Sequence, residues 1–139
     1  MTLCLVREPR ALAAQPGRGP ALSGLRVLLV EDEAMVAMMI EDMLCELGCA
    51  VVGPASRVAS ALELLARETV DAAVLDVNVA GELVFPVADV LAAAGTPFVF
   101  STGYGLAGLD ARHAARPVLQ KPYGRERLFA ALAEALGAD

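Results

Sequence analysis

Apolar residues in this chain follow two alternating rhythms. Short continuous runs, each closed by polar or turn-forming residues, recur at Leu25–Val30, Ala50–Gly53, Ala72–Leu75, Pro97–Phe100 and Pro117–Leu119. Between them, apolar positions return every three or four residues. Val36, Ile40, Met43, Leu44 and Leu47 lie on one face of a helix that Gly48 stops. Ser56 caps a second helix that turns Val58, Ala61, Leu62 and Leu65 inward. A third runs from about residue 84 to 94, with Val84, Val87 and Leu91 on one face and Pro86 in its first turn. Residues 106–115 read as a short Ala-rich helix, and Leu128, Phe129, Leu132 and Leu136 line a last one.

Continuous apolar runs of this length are strands buried on both faces, and their alternation with helices calls for a parallel sheet covered on each side. Right-handed crossovers then give a doubly wound, flavodoxin-like α/β domain with helices on both faces and the five-strand order 2-1-3-4-5. In that order the first and third strands are neighbours. Glu31, Asp32 and Asp76, which end those two strands, therefore meet at one edge, where such sheets place their ligands.

Composition narrows the classes of function. The chain has 139 residues, enough for one domain with a real core; 57% are hydrophobic, only 4% aromatic, and none is Trp, so that core is aliphatic. A net charge of −6 argues against non-specific nucleic-acid binding and against an anionic membrane surface. No apolar run approaches the roughly 18 residues of a membrane span, and the N-terminus lacks the basic start of a secretory signal, which makes the cytoplasm the expected location. Residues 1–24, rich in Pro, Gly and Arg and without periodicity, read as a disordered tail ahead of a domain over 25–136. Cys4, Cys45 and Cys49 have no framework spacing; Cys45 and Cys49 could suggest a metal pair, but one His and no second Cys pair cannot complete a tetrahedral site, and all three read as buried thiols in a reducing compartment. The methionines Met35, Met38, Met39 and Met43 read as packing residues, and His113 as a surface residue without partners.

Three carboxylates in one pocket repel one another unless a cation compensates, and Mg²⁺ prefers such hard oxygen donors while sharing its sphere with phosphate oxygens. The ends of the fourth and fifth strands add a hydroxyl, Thr102, and a fixed cation, Lys121. This set suits phosphoryl transfer, with Asp76 as a nucleophile that would form an acyl phosphate. Ser101 points to the other side of the sheet by strand alternation and is left out.

The strand-end motifs Val30-Glu31-Asp32-Glu33, Leu75-Asp76-Val77-Asn78, Thr102 and Lys121-Pro122, in this order, resemble the receiver domain of two-component response regulators over about residues 25–136. The run Phe100-Ser101-Thr102-Gly103-Tyr104-Gly105 further resembles the FATGUY subgroup of single-domain receivers. The resemblance implies that Asp76 accepts a phosphoryl group from a histidine kinase or a histidine phosphotransfer protein. It implies that Asp32 binds Mg²⁺ directly, Glu31 through water and Asn78 through its backbone carbonyl. Thr102 and Lys121 would contact the phosphoryl group, and the Lys121–Pro122 peptide would be cis, which an X-Pro bond allows at about 0.5–1 kcal/mol.

One position departs from the pattern. Receivers typically carry an aromatic switch residue three places before the Lys, where this chain has Val118; Tyr104 is the candidate replacement. With almost no chain after the last helix, output is expected from a downstream protein partner or a phosphorelay step and not from an attached effector. The face around the fourth helix, fifth strand and fifth helix is open to homodimer formation. Two other functions compete. A degenerate receiver would bind partners regardless of phosphorylation. An aspartate-based phosphohydrolase would need an acid two residues after the nucleophile, and Asn78 cannot exchange a proton in that way. A phosphoacceptor that catalyses only its own phosphorylation and dephosphorylation is the expectation.

Overall fold

The computed structural model describes residues 22–103, 113 and 115–137. Strands β1 (Arg26–Val30), β2 (Ala50–Ala55), β3 (Ala72–Asp76), β6 (Phe98–Thr102) and β7 (Val118–Gln120) form one sheet. Its order is β2-β1-β3-β6-β7 with every pairing parallel, the doubly wound order 2-1-3-4-5. Helices α1 (Ala34–Glu46), α2 (Val58–Arg67), α3 (Phe85–Ala93) and α4 (Arg125–Gly137) cover it. The expected helix over 106–115 lies outside the described residues except for its positions 113 and 115.

Strand alternation sorts the core into two layers. Leu28, Val30, Ala73, Leu75, Phe98 and Phe100 pack against α2 and α3. Val27, Leu29, Ala72, Val74 and Val99 pack against α1 and α4. β3 is buried at all five positions, as a central strand covered on both faces must be.

Two short strands, β4 (Asn78–Val79) and β5 (Glu82–Leu83), form an antiparallel hairpin where the sequence suggested only turn residues. Ala80 takes φ +53° at its tip, a conformation that side chains other than Gly adopt rarely. α2 starts at Val58 with Arg57 at its N-cap and no side-chain cap, so Ser56 does not cap it. Met35, Met38 and Met39 are exposed, because Ala37, Ile40 and Leu44 supply the buried face of α1. The thiol of Cys49 is buried and pushed up to about 12 by desolvation. Cys45, at a half-buried position on α1, is disulfide-bonded, which corrects the reading of it as a thiol. Leu22, within the stretch read as a tail, is 2% exposed and packs under α1 and α4.

Register places the site. Between the Leu28–Val52 and Val30–Ala55 pairs β2 carries one extra residue, a bulge next to Gly53-Pro54. Beyond it the Ala55 carbonyl accepts the Glu31 N–H at 3.0 Å and fixes the chain just past the end of β1. Val30 pairs with Leu75, Asp76 with Ser101, and Thr102 with Gln120, so the carboxyl ends of four neighbouring strands reach the same edge.

Candidate functional site

Along that edge the backbone turns away from the sheet while the side chains stay gathered. Glu31 follows β1 and is almost completely buried, at 2% exposure. Its Oε2 accepts the Glu33 N–H at 3.1 Å, and its Oε1 receives the Lys121 ammonium at 2.8 Å. Asp32 is exposed, and its Oδ2 accepts the Ala80 N–H at 3.0 Å, tying the start of α1 to the β4–β5 hairpin. Asp76 ends β3 at 7% exposure. One carboxylate oxygen from each of Glu31, Asp32 and Asp76 lies within 4.8 Å of the others.

Lys121 reaches this cluster from the residue after β7. Its Nζ lies 3.5 Å from Asp76 Oδ2 as well as 2.8 Å from Glu31 Oε1, and its backbone N–H donates to the Thr102 carbonyl at 2.8 Å. The Lys121–Pro122 peptide is cis. Thr102, at the end of β6, is 3% exposed. Asn78 stands two residues beyond Asp76 as the first residue of the hairpin, with its side-chain Oδ1 accepting the Gly81 N–H at 3.0 Å. Tyr104, the candidate replacement for an aromatic at 118, lies outside the described residues.

The electrostatics follow from burial. Desolvation and the neighbouring Glu31 carboxylate push the Asp76 carboxyl up to about 7, and Lys121 offsets only part of that rise. Desolvation pulls the Lys121 ammonium down, but the hydrogen bond to Glu31 and the charge of Asp76 outweigh it and leave its pKa above the usual lysine value. Three carboxylates against one ammonium leave a formal charge of −2 when all are ionised, the complement of a divalent cation. The donor set is all oxygen. Metal–oxygen distances of about 2.1 Å place ligand oxygens about 3–4 Å apart, so these residues suit a hard cation of the size of Mg²⁺.

Sequence reasoning missed two other residues. Tyr123 is mostly buried against the α1–α4 layer, and its hydroxyl lies 3.2 Å from Ser101 Oγ. Desolvation holds the phenol above its ordinary value. Ser101 does sit opposite Thr102, as alternation requires, but it is the register partner of Asp76 and therefore a neighbour of the pocket. A Tyr two residues after the Lys was the signal available. His113, read as a surface residue, is instead part of the core. It is 4% exposed and hydrogen-bonded through Nε2 to Asp89 Oδ1 at 2.9 Å. Its ring packs against Phe85, Phe98 and Phe100. A lone His in an Ala-rich stretch has no local apolar pattern, so its burial depends on phenylalanines distant in the chain.

Comparison with known proteins agrees with this geometry. No curated protein sequence matches the chain. Among solved structures, it resembles the solution structure of SdrG from Sphingomonas melonis Fr1, with 46% identity and a TM-score of 0.75, covering 84% of this chain and 98% of that one. The BeF3-activated conformation of SdrG from Pseudomonas melonis Fr1 matches at 46% identity and TM-score 0.69, covering 80% and 95%. The response regulator PhyR from Brucella abortus matches at 29% identity and TM-score 0.70, over 81% of this chain but 47% of that one. The family model for the response regulator receiver domain matches residues 27–133, so the chain belongs to the response regulator receiver domain family.

Proposed function

We propose that this receiver acts in the cytoplasm, accepts a phosphoryl group on Asp76 from a histidine kinase or histidine phosphotransfer protein, and signals by phosphorylation-dependent binding of a protein partner or by relay. The observation that carries this reading is the placement of Lys121 Nζ against both Glu31 and Asp76, with Asp32 close by. A nucleophilic carboxylate thereby shares its pocket with a cation donor and with the oxygens that would hold a metal.

A carboxylate oxygen of Asp76 attacks phosphorus. The O–P bond forms as the P–N bond to the donor histidine breaks, and the leaving imidazole takes up a proton. Asp32 and Asp76 would hold Mg²⁺ directly, Asn78 through its carbonyl and Glu31 through water. When bound, the ion neutralises the carboxylates and the charge on the transferred group. Lys121 offers its ammonium to a phosphoryl oxygen, and Thr102 offers its hydroxyl to another. Asn78, whose carboxamide is neither an acid nor a base near neutral pH, leaves the acyl phosphate without a companion acid, and the protein acts as a phosphoacceptor, not a multiple-turnover phosphatase. That SdrG adopts a BeF3-activated conformation supports the reading, because beryllofluoride mimics a phosphoryl group on a carboxylate.

The test is incubation with acetyl phosphate and Mg²⁺, followed by intact mass measurement. One phosphoryl group is expected, absent when the metal is chelated beforehand and absent in Asp76→Asn. No adduct, or one that persists in Asp76→Asn, overturns the proposal.

A further inference from the structure

His113 is the one histidine of the chain, and it stands in the core. Nε2 bonds Asp89 Oδ1 on α3 at 2.9 Å, while the buried Nδ1 has no hydrogen-bond partner among the described residues. Three of the four phenylalanines surround the ring. Its centroid lies 6.0 Å from Phe85 in a stacked arrangement, and 5.7 Å and 6.0 Å from Phe98 and Phe100 edge to face. These distances lie within the favourable range of aromatic pairs. Arg116, just before β7, places its guanidinium 4.2 Å over the Phe98 ring from the same connection.

Two opposed effects act on this imidazole. Aromatic packing and the Asp89 bond hold it in. The cost of a buried, unsatisfied nitrogen, which water would satisfy, favours letting it out. A group balanced in this way can take two positions when its surroundings shift slightly.

Its surroundings lead to the acidic pocket. Phe100 lies two residues before Thr102 on the same face of β6, and its register partner across the sheet is Val118. Val118 packs at the margin of the same apolar layer. Among the described residues of the β6–β7 connection, His113 supplies the ring in contact with Phe100.

We infer that His113, latched by Asp89, reads out the state of the Asp76 pocket: movement at the Thr102 end of β6 shifts Phe100 and releases or re-seats the imidazole against α3. This inference rests on the phosphoacceptor reading. The latch is a positioning device, and neither His113 nor Asp89 takes part in the phosphoryl chemistry. Release would change the surface of α3 around Asp89, where a partner could distinguish the two states.

A single histidine makes the test direct. Full-length, tag-free protein labelled at the imidazole is followed by NMR with Mg²⁺, before and after addition of beryllofluoride, alongside Asp89→Asn and His113→Phe. Acetyl phosphate labelling is run on all three. The expected result is a displaced or broadened imidazole resonance on activation of the wild type. Asp89→Asn should already show the displaced signal, so that its response is at least about threefold smaller. Both variants should still form the adduct, to within about twofold of the wild type. His113→Phe keeps a ring in the cage and guards against a simple loss of folding. An imidazole that does not respond although the adduct forms, or an Asp89→Asn signal that responds like the wild type, overturns the latch alone. Absence of any adduct in the wild type overturns the phosphoacceptor reading and the latch with it.

Discussion

Asp76 carries the principal conflict of charges in the molecule. It is held at the end of a fully buried strand, beside a second buried carboxylate, with one ammonium between them. Its pKa of about 7 in the fold, against roughly 3.9 in an unfolded chain, means that the folded state binds the extra proton between those values. The neutral carboxyl therefore contributes stability that is fully present below about pH 4 and is lost as pH rises through about 7. Metal-free protein should become less stable over this window, and Asp76→Asn should raise its stability at pH 8 by about 2–4 kcal/mol, measured by urea unfolding. The same proton competes with a cation. Mg²⁺ affinity should fall about fivefold between pH 7 and pH 6, as read by calorimetry, if a single carboxyl must ionise to bind it. Lys121→Ala leaves Glu31 buried without its cation, and should cost about 1–3 kcal/mol at neutral pH.

At the scale of elements, the site depends on backbone features that contain none of its chemistry. The bulge in β2 delivers the Ala55 carbonyl to the Glu31 N–H, and Gly53 occupies it with φ +103°. A Cβ there would meet Ala55 N at 2.8 Å and Leu29 O at 3.0 Å, both rigid backbone atoms. Gly53→Ala should destabilise the fold by about 1–3 kcal/mol in thermal unfolding and weaken Mg²⁺ binding at a distance, through the position of Glu31. The hairpin β4–β5 plays the corresponding part on the other side, since Ala80 at its tip donates to Asp32. Such features are hard to read from sequence. A two-strand hairpin of two residues each shows no periodicity, and a bulge is only one residue more than a strand needs.

Over the whole molecule, what was legible in the sequence is what repeats. Runs such as Ala72–Leu75 occur where a strand is covered on both faces, and their alternation with helical periods leaves few topologies open. The strand order and the meeting of Glu31, Asp32 and Asp76 follow from that. Positions set by contacts distant in the chain were not legible. His113 is buried by phenylalanines from α3 and β6, while Met35, Met38 and Met39 are left exposed because smaller neighbours fill the face of α1. The central claim, however, concerns one carboxylate, and it can be tested at that atom. Protein treated with acetyl phosphate and Mg²⁺ can be reduced with borohydride, which converts a phosphorylated aspartate to the homoserine side chain, and then mapped by peptide mass spectrometry. The account predicts the conversion at position 76 alone, and only when both acetyl phosphate and Mg²⁺ are supplied. Conversion at another aspartate, or none under conditions that leave the protein folded, would contradict it.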